Sequence, residues 1–520
     1  MRAYSTWTAA ASSLAAWAAI ASAVSLAACG AEPPPAAATA PVAKTAPPPA
    51  RPAAPPADPL GPKPEVLPPP PFSPPTPAVF QIAGGMTVWH LERHALPLVA
   101  LALAVPSGSS ADPPGSEGLA FATAGMLDEG AGSLGAIELA QAVDMLGASL
   151  TTGATQDMSF AELFVLKRNL AQGLPLLADV VARPRFDDRE WRRVHDLWSN
   201  DLKARTKDPQ AVSGVVTLAS LFGAGTPYGH PVSGTIASAK KIDLATVKRF
   251  YASAWRPERS VVVAVGDVTR SELTTLLEGA FGGWKPAAPP MTAAAAPARA
   301  AAKAPPRIVV VDRPDAPQSV IALIRPGVPA GDKDVPALVR ANIALGGSFT
   351  SRLNQDLREE HGWSYGASSR VMAARSAGAV IASAAVFTDK TGDALKAMLA
   401  DVDAFAKKGL SDEESFKTQV QARSDVVEDY ERVERTALLL AKDAALGLPA
   451  DHEAKASALR DAATKADLDR IAATYMDPKD AVIVVVGPHA KLAPQLDALG
   501  LTKAELRDAE GNAIAAAKKK

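Results

Sequence analysis

Two side chains in the stretch 346–366, GGSFTSRLNQDLREEHGWSYG, have the chemistry to hold an oxygen ligand: Arg358 and Tyr365. A guanidinium presents a planar fork of N–H donors with a permanent positive charge, and a phenol adds one O–H donor. A carbonyl or carboxylate placed between them would satisfy both. Their spacing of seven residues needs a turn to bring them together, and the sequence supplies one. The pair Gly346-Gly347 opens the stretch, and Leu353 and Leu357 mark one face of a short amphipathic helix. Gly362 stops that helix, and Trp363-Ser364-Tyr365 starts a strand. Arg358 then lies in the last helical turn with Tyr365 just across from it. In the competing reading Arg358 pairs with a neighbouring glutamate and Tyr365 is half-buried packing, an arrangement worth little at a surface.

A second constellation, His90-Leu91-Glu92-Arg93-His94, holds two imidazoles and a carboxylate within five residues. Metal-binding helices place such histidines on one face, but this segment lies between 86–89 and 96–99, which read as strands around a turn. Alternation along a strand keeps the two rings from sharing a helical face. The other histidines, His195, His230, His361, His452 and His489, show no ligand spacing.

The elements that must position these groups emerge from composition and repetition. The chain has 520 residues, 48% of them hydrophobic, with a net charge of −1, so it has ample core and no electrostatic reason to bind nucleic acid. Residues 1–28 have the shape of a secretory signal peptide. Cys29, the only cysteine, follows Leu26-Ala27-Ala28 and resembles the lipobox cysteine of bacterial lipoproteins, with Gly30 pointing to the outer membrane; internal disulfides are excluded. Residues 29–79 are Pro/Ala-rich and read as an extended tether, roughly 50 residues reaching at most about 150 Å. The expected address is therefore the cell envelope, lipid-anchored and facing the periplasm. A second Ala/Pro segment, 286–306, separates blocks at 80–285 and 307–505, and 506–520 reads as a polar tail.

The two blocks repeat one unit. Pro106 and Pro326 each close an apolar strand and lie 220 residues apart, while Pro257 and Pro478, and Gly266 and Gly487, lie 221 apart. Within the first block, 118–126, 136–146, 170–181, 188–203 and 245–254 read as helices and 148–166 as a hairpin. The expected fold is α+β: two tandem homologous α/β sandwich domains, each a mainly antiparallel sheet packed with helices.

Several stretches carry a specific likeness: PPGSEGLA at 113–120, TPYGHP at 226–231 with Gly234-Thr235, Phe250-Tyr251 with Trp255-Arg256-Pro257, Val265-Gly266-Asp267-Val268, and the 346–366 element itself. In these the chain resembles the insulinase/pitrilysin family of zinc metallopeptidases. The resemblance implies an inverted zinc motif, H-x-x-E-H, on the helix after Gly118-Leu119-Ala120, in which two histidines bind zinc and the glutamate activates water. Here those three positions are Phe121, Ala124 and Gly125. None offers an electron pair to a metal or takes a proton from water. Asp201 stands near the third-ligand position, alone and most simply a solvated helix-face aspartate. The same resemblance makes Arg358 and Tyr365, together with Gly346 and Gly347, the residues that bind substrate.

A split of this kind is similar to the non-catalytic partner in heterodimeric members. The expectation is a catalytically inert, peptide-binding subunit with no cofactor of its own, working with a zinc-containing homologous subunit and tied to the membrane through its lipid. A non-proteolytic scaffold is the first alternative, and an autonomous metallopeptidase the second.

Overall fold

The strand sequences differ from the alternating pattern of a half-exposed sheet. LVALALAV and VVVAVG are apolar at every position, which a strand tolerates only when both faces are buried. The computed structural model describes residues 70–286, 289 and 307–514, and in it these segments lie at the centre of a six-stranded sheet. Its strands are β1 (Ala78–Gln81), β2 (Thr87–Glu92), β3 (Leu98–Val105), β4 (Ser149–Ala154), β5 (Ser159–Leu166) and β6 (Val261–Gly266), in the order β1-β2-β6-β3-β5-β4. All pairings are antiparallel except β2 with β6.

A second six-stranded sheet repeats the plan. It contains β7 (Arg307–Asp312), β8 (Gln318–Pro326), β9 (Ser364–Ala373), β10 (Gly378–Phe387), β11 (Val482–Gly487) and β12 (Glu505–Leu506), in the order β9-β10-β8-β11-β7-β12. The repeat inferred from the proline and glycine offsets is therefore a repeat of topology over five strands; the sixth differs, β1 opening its half antiparallel to β2 and β12 closing the other parallel to β7. The edge strand β4 corresponds to the edge strand β9.

One face of each sheet is covered by helices of its own half. Leu101, Leu103, Leu163 and Val262 pack against Leu174, Leu177, Trp198, Val247 and Leu273 in the first, and Ile321, Leu323 and Val485 against Leu395, Met398 and Leu468 in the second. The other face is covered by exchange. Helix Val433–Leu446 of the second half lays Val433, Ala437, Leu440 and Ala441 on Ala100, Ala102, Val263 and Val265 of the first sheet. Helix Pro209–Phe222 of the first half returns Val212, Val216 and Leu221 to Val309, Val320, Ile324 and Val484 of the second. Alanines on β3 leave room for the visiting helix to approach closely.

The hairpin tips also meet. Tyr228 donates to Asp157 Oδ1 (2.8 Å), and the Arg375 backbone N–H donates to Asp157 Oδ2 (2.8 Å). The Arg375 guanidinium donates to the Asp157 carbonyl (2.6 Å) and the Ala445 carbonyl (2.9 Å). These contacts make the two halves a single compact unit.

Part of the expected polar tail is structured instead. Leu506 lies in β12, an isolated bridge joins Arg507 to Ala513, and Glu510 accepts from the Ile236 N–H at 2.6 Å in the first half. A carboxylate that caps a backbone donor and lies 3.8 Å from Arg205 gives this end a reason to fold back. Cys29, the signal segment and most of both Pro/Ala stretches lie outside the described residues.

Candidate functional site

The helix expected to carry metal ligands is short, Leu119–Ala124, and is held by backbone chemistry at its start. Its N-cap, Gly118, has φ 93°, and a Cβ there would come within 2.8 Å of the Gly234 backbone, so both motif glycines serve a close crossing of two backbone segments. Asp112 accepts from the Gly118 and Ala120 N–H groups at 2.7 and 2.8 Å. Burial raises the pKa of that carboxyl well above the usual range, against the pull of those N–H groups.

The three positions on this helix are apolar in place as well as in sequence. The Phe121 ring lies 6.4 Å from Trp198, which in turn meets His195 (5.8 Å), and His195 meets Trp191 (5.2 Å). Ala124 is fully buried, and Gly125 is the C-cap. Asp201 is exposed on helix Asp188–Arg205, while Trp198 is the residue of that helix that faces Phe121. An aromatic ring, a methyl and a hydrogen do not fit a zinc ion, which needs nitrogen, sulfur or oxygen donors in a tetrahedral set. Among the described residues no group of three or more His, Cys, Asp or Glu side chains is placed to hold a metal. The His90 and His94 rings are engaged separately. His90 is buried and bonds through Nε2 to the Val268 carbonyl (2.9 Å), whereas His94 is exposed between Asp267 and Glu92 (2.5 and 2.8 Å).

The opening stretch folds around two π-helical turns, Ile343–Gly347 and Gln355–Glu360, the second lying where a regular helix was expected. Such widened turns recur at functional sites. Gly346, grouped above with the substrate-contacting residues, is buried; a Cβ on it would meet the Ser369 N–H at 2.4 Å. Its part is to let the turn close on β9, where Asn342 donates to the Ser369 carbonyl (2.9 Å) and accepts from Ser369 Oγ (2.7 Å). Gly347 is exposed.

Arg358 lies in the second π turn. Its guanidinium stacks 4.5 Å from the centre of the Phe349 ring, and its Nε is 3.3 Å from Glu359. The competing reading is thus half right, since the arginine does touch a neighbouring glutamate, but its side chain remains 38% exposed. Tyr365 is not packing: it is 81% exposed. The cause is local. The β9–β10 register shifts between Ser364 and Ala367, a bulge in which Ser364 Oγ donates to the Gly366 and Ala385 carbonyls, each at 2.7 Å. Bulges re-aim side chains, and this one turns the phenol outward. Among the described residues nothing hydrogen-bonds its hydroxyl. The outer edge of β9 is unpaired in the sheet order, so a backbone ladder is available beside the two side chains.

Beneath this turn lies a group that sequence reasoning missed. Asp401, on helix Thr391–Lys408, has its pKa pushed up to about 7, first by burial and then by the negative charge of Asp356. A helix-face aspartate 45 positions from its partner gives no local signal. Asp128, three residues past Gly125, is a second buried carboxyl raised to about 7, chiefly by burial, and accepts from Thr152 Oγ1 (3.3 Å).

Residues 89–226 match the family model described as insulinase (peptidase family M16), and residues 241–421 match the model described as peptidase M16 inactive domain. The chain carries peptidase M16 family domains. The first M16 match contains Phe121, Ala124, Gly125 and Asp201, and the second contains Gly346, Gly347, Arg358 and Tyr365. A Mycobacterium bovis protein named uncharacterized zinc protease is 31% identical over 288 residues, covering 54% of this chain and 63% of that protein. This chain therefore aligns with a little under two thirds of that relative's length. The Helicobacter pylori non-peptidase homolog YmxG is 29% identical over 178 residues, 34% of this chain and 41% of that protein. The crystal structure of a peptidase M16 inactive domain from Pseudomonas fluorescens superposes with a TM-score of 0.73 at 24% identity, covering 79% of this chain and 98% of that one; this likeness establishes the M16 fold alone.

Proposed function

We propose that this M16 chain is the substrate-gripping subunit of a two-chain metallopeptidase, held at the cell envelope through a lipid on Cys29 and working beside a zinc-bearing homologue. The observation that carries the reading is the contrast between its halves. Phe121, Ala124 and Gly125 have no metal or proton chemistry, while Arg358 and Tyr365 are exposed next to an open sheet edge.

In this reading a peptide adds to β9 as an extra strand, and its backbone amides satisfy the unpaired ladder. Arg358 and Tyr365 then donate to one carbonyl of that peptide. A carbonyl held by a cation and a hydroxyl is fixed in orientation before chemistry begins, and orientation alone supplies much of a catalytic advantage. Phe349 beneath the guanidinium restricts Arg358 to a narrow set of positions. The zinc and the activated water belong to the partner.

The test is reconstitution. The purified chain, alone and mixed with a zinc-bearing M16 homologue from the same organism, is assayed for cleavage of fluorogenic peptides. Activity that needs both chains and falls on the order of a hundredfold with Arg358→Ala supports the reading. An Arg358→Ala pair as active as wild type removes the proposed grip. Peptide binding without cleavage in any mixture favours the scaffold reading, to which the non-peptidase relative lends weight.

A further inference from the structure

The edge strand β9 presents its two faces to different surroundings. Ala367 and Val371 lie against the helices of their own half, whereas Met372 packs into the layer formed with helix Pro209–Phe222. Ser368 and Arg370 alternate with Ala367 and Val371 and so share the face of Met372. The register agrees, since Arg370 stands opposite Ile381 of β10, a member of that same layer. Tyr365 joins them across the bulge. Ser364 stands opposite Val386, which packs with the helices of its own half; Tyr365, next along, falls on the other face, where Ala385 also lies. Tyr365, Ser368 and Arg370 are thus three exposed side chains on one face of an edge left unpaired in the sheet.

Arg370 differs from the arginines around it. Arg352 is bound to Glu414 and to the Gly409 carbonyl, and Arg358 lies against Phe349 and Glu359. Among the described residues no carboxylate, carbonyl or aromatic ring partners Arg370. Burial lowers the pKa of its guanidinium, and no charged neighbour adds to that effect or opposes it. A cation that has given up part of its water without gaining a counter-charge is stabilised by a carboxylate that arrives later.

A peptide strand laid on this edge sends alternate side chains to the same face, and each meets the β9 residue across from it. The existing neighbour, β10, shows the spacing. Its Ala385 falls at the bulge and its Ile381 opposite Arg370, so a partner strand advances about four residues between the two points, roughly 13 Å.

We propose that Arg370 sets the side-chain preference of the peptide site, taking an aspartate or glutamate about four residues from the carbonyl held at Arg358 and Tyr365. The inference rests on the grip reading above and gives it a substrate class, extended acidic peptides. A carboxylate at this point accepts from two guanidinium N–H groups at once, and Ser368 Oγ, two positions along the same face, is a further donor. A lysine or arginine there meets like charge across the strands, which destabilises the pairing.

The test uses the full chain in detergent micelles and three fluorescein-labelled decapeptide pools. Each pool is random in Ala, Ser, Val and Leu, with glutamate, glutamine or lysine as its only other residue type. Anisotropy gives the affinity of wild type, Arg370→Gln, Arg370→Glu and Arg358→Ala for each pool. Wild type should bind the glutamate pool on the order of tenfold more tightly than the glutamine pool. In Arg370→Gln that preference should vanish, and Arg370→Glu should favour the lysine pool instead. A preference that follows the charge at position 370 does not arise from a folding defect.

A glutamate preference that survives in both Arg370 variants, or its absence from wild type, overturns the proposal. Arg358→Ala separates the preference from the grip. Weaker binding of every pool with the preference kept upholds both, whereas undiminished binding with the preference kept sinks the grip and leaves the acidic selectivity standing. Failure of wild type to bind any pool overturns both.

Discussion

The exchange of helices between halves makes a prediction that local packing alone does not. Leu440 belongs to the second half by sequence, yet it is 1% exposed because it fills the outer face of the first half's sheet against Ala100, Ala102 and Val263. Truncating a leucine in such a place loses its transfer free energy and leaves a cavity, about 2–5 kcal/mol in total. For a cooperative unit of this size the unfolding entropy, at about 2.1 cal/mol/K per residue, converts that loss into a fall of roughly 2–5 °C in melting temperature. The assay is calorimetry of Leu440→Ala and of its counterpart Val216→Ala, which is fully buried on the other sheet and loses about 1.5 kcal/mol on methylene accounting. Both variants should shift one transition as a whole. Two separate transitions, with each variant moving only one of them, would refute the mutual dependence of the halves. The same logic predicts that residues 70–285 expressed alone bind a hydrophobic dye strongly, because Trp89, Ala102, Val263 and Val265 lose their cover.

Other outcomes follow from single side chains. Gly346→Ala forces a methyl within 2.4 Å of the Ser369 N–H and should cost about 1–3 kcal/mol, read by urea unfolding, and weaken peptide binding through the displaced turn. Glu162 on β5 is held near pH 7, first by burial and then by Glu434, with Arg432 opposing. Its folded pKa lies above its unfolded one, so its stabilisation is present at low pH and disappears as pH rises through about 7. Glu162→Gln should therefore gain on wild type in thermal melts at pH 8, with the gap closing towards pH 5; a pH-independent gap would contradict this.

The sequence carried the architecture well because the signals that specify it are local. The runs at 98–105 and 261–266 announced strands, the glycine and proline offsets announced the repeat, and the leucine spacing of 353 and 357 announced a helical segment, though not its π geometry. The covering helices were not legible, since nothing in 433–446 names as its partner a sheet whose central strands lie at 98–105 and 261–266. A strand apolar on both faces says only that a cover exists. At the site, the residue types at 121, 124 and 125 show that these positions offer no metal ligand, whereas that Trp198 lies against Phe121 while Asp201 is exposed depends on how the helix packs. The exposure of Tyr365 depended on a bulge that no residue type encodes. The effect of Asp356 on Asp401 was invisible for the same reason as the covering helices: it arises only through tertiary packing.

The division of labour between the halves is tested most directly by the metal content of the purified full chain after dialysis against zinc and then against metal-free buffer. With a phenyl, a methyl and a hydrogen where donors are needed, the chain should retain far less than one equivalent, and Asp201→Ala should change nothing. One tightly held zinc per chain would contradict the account at its centre.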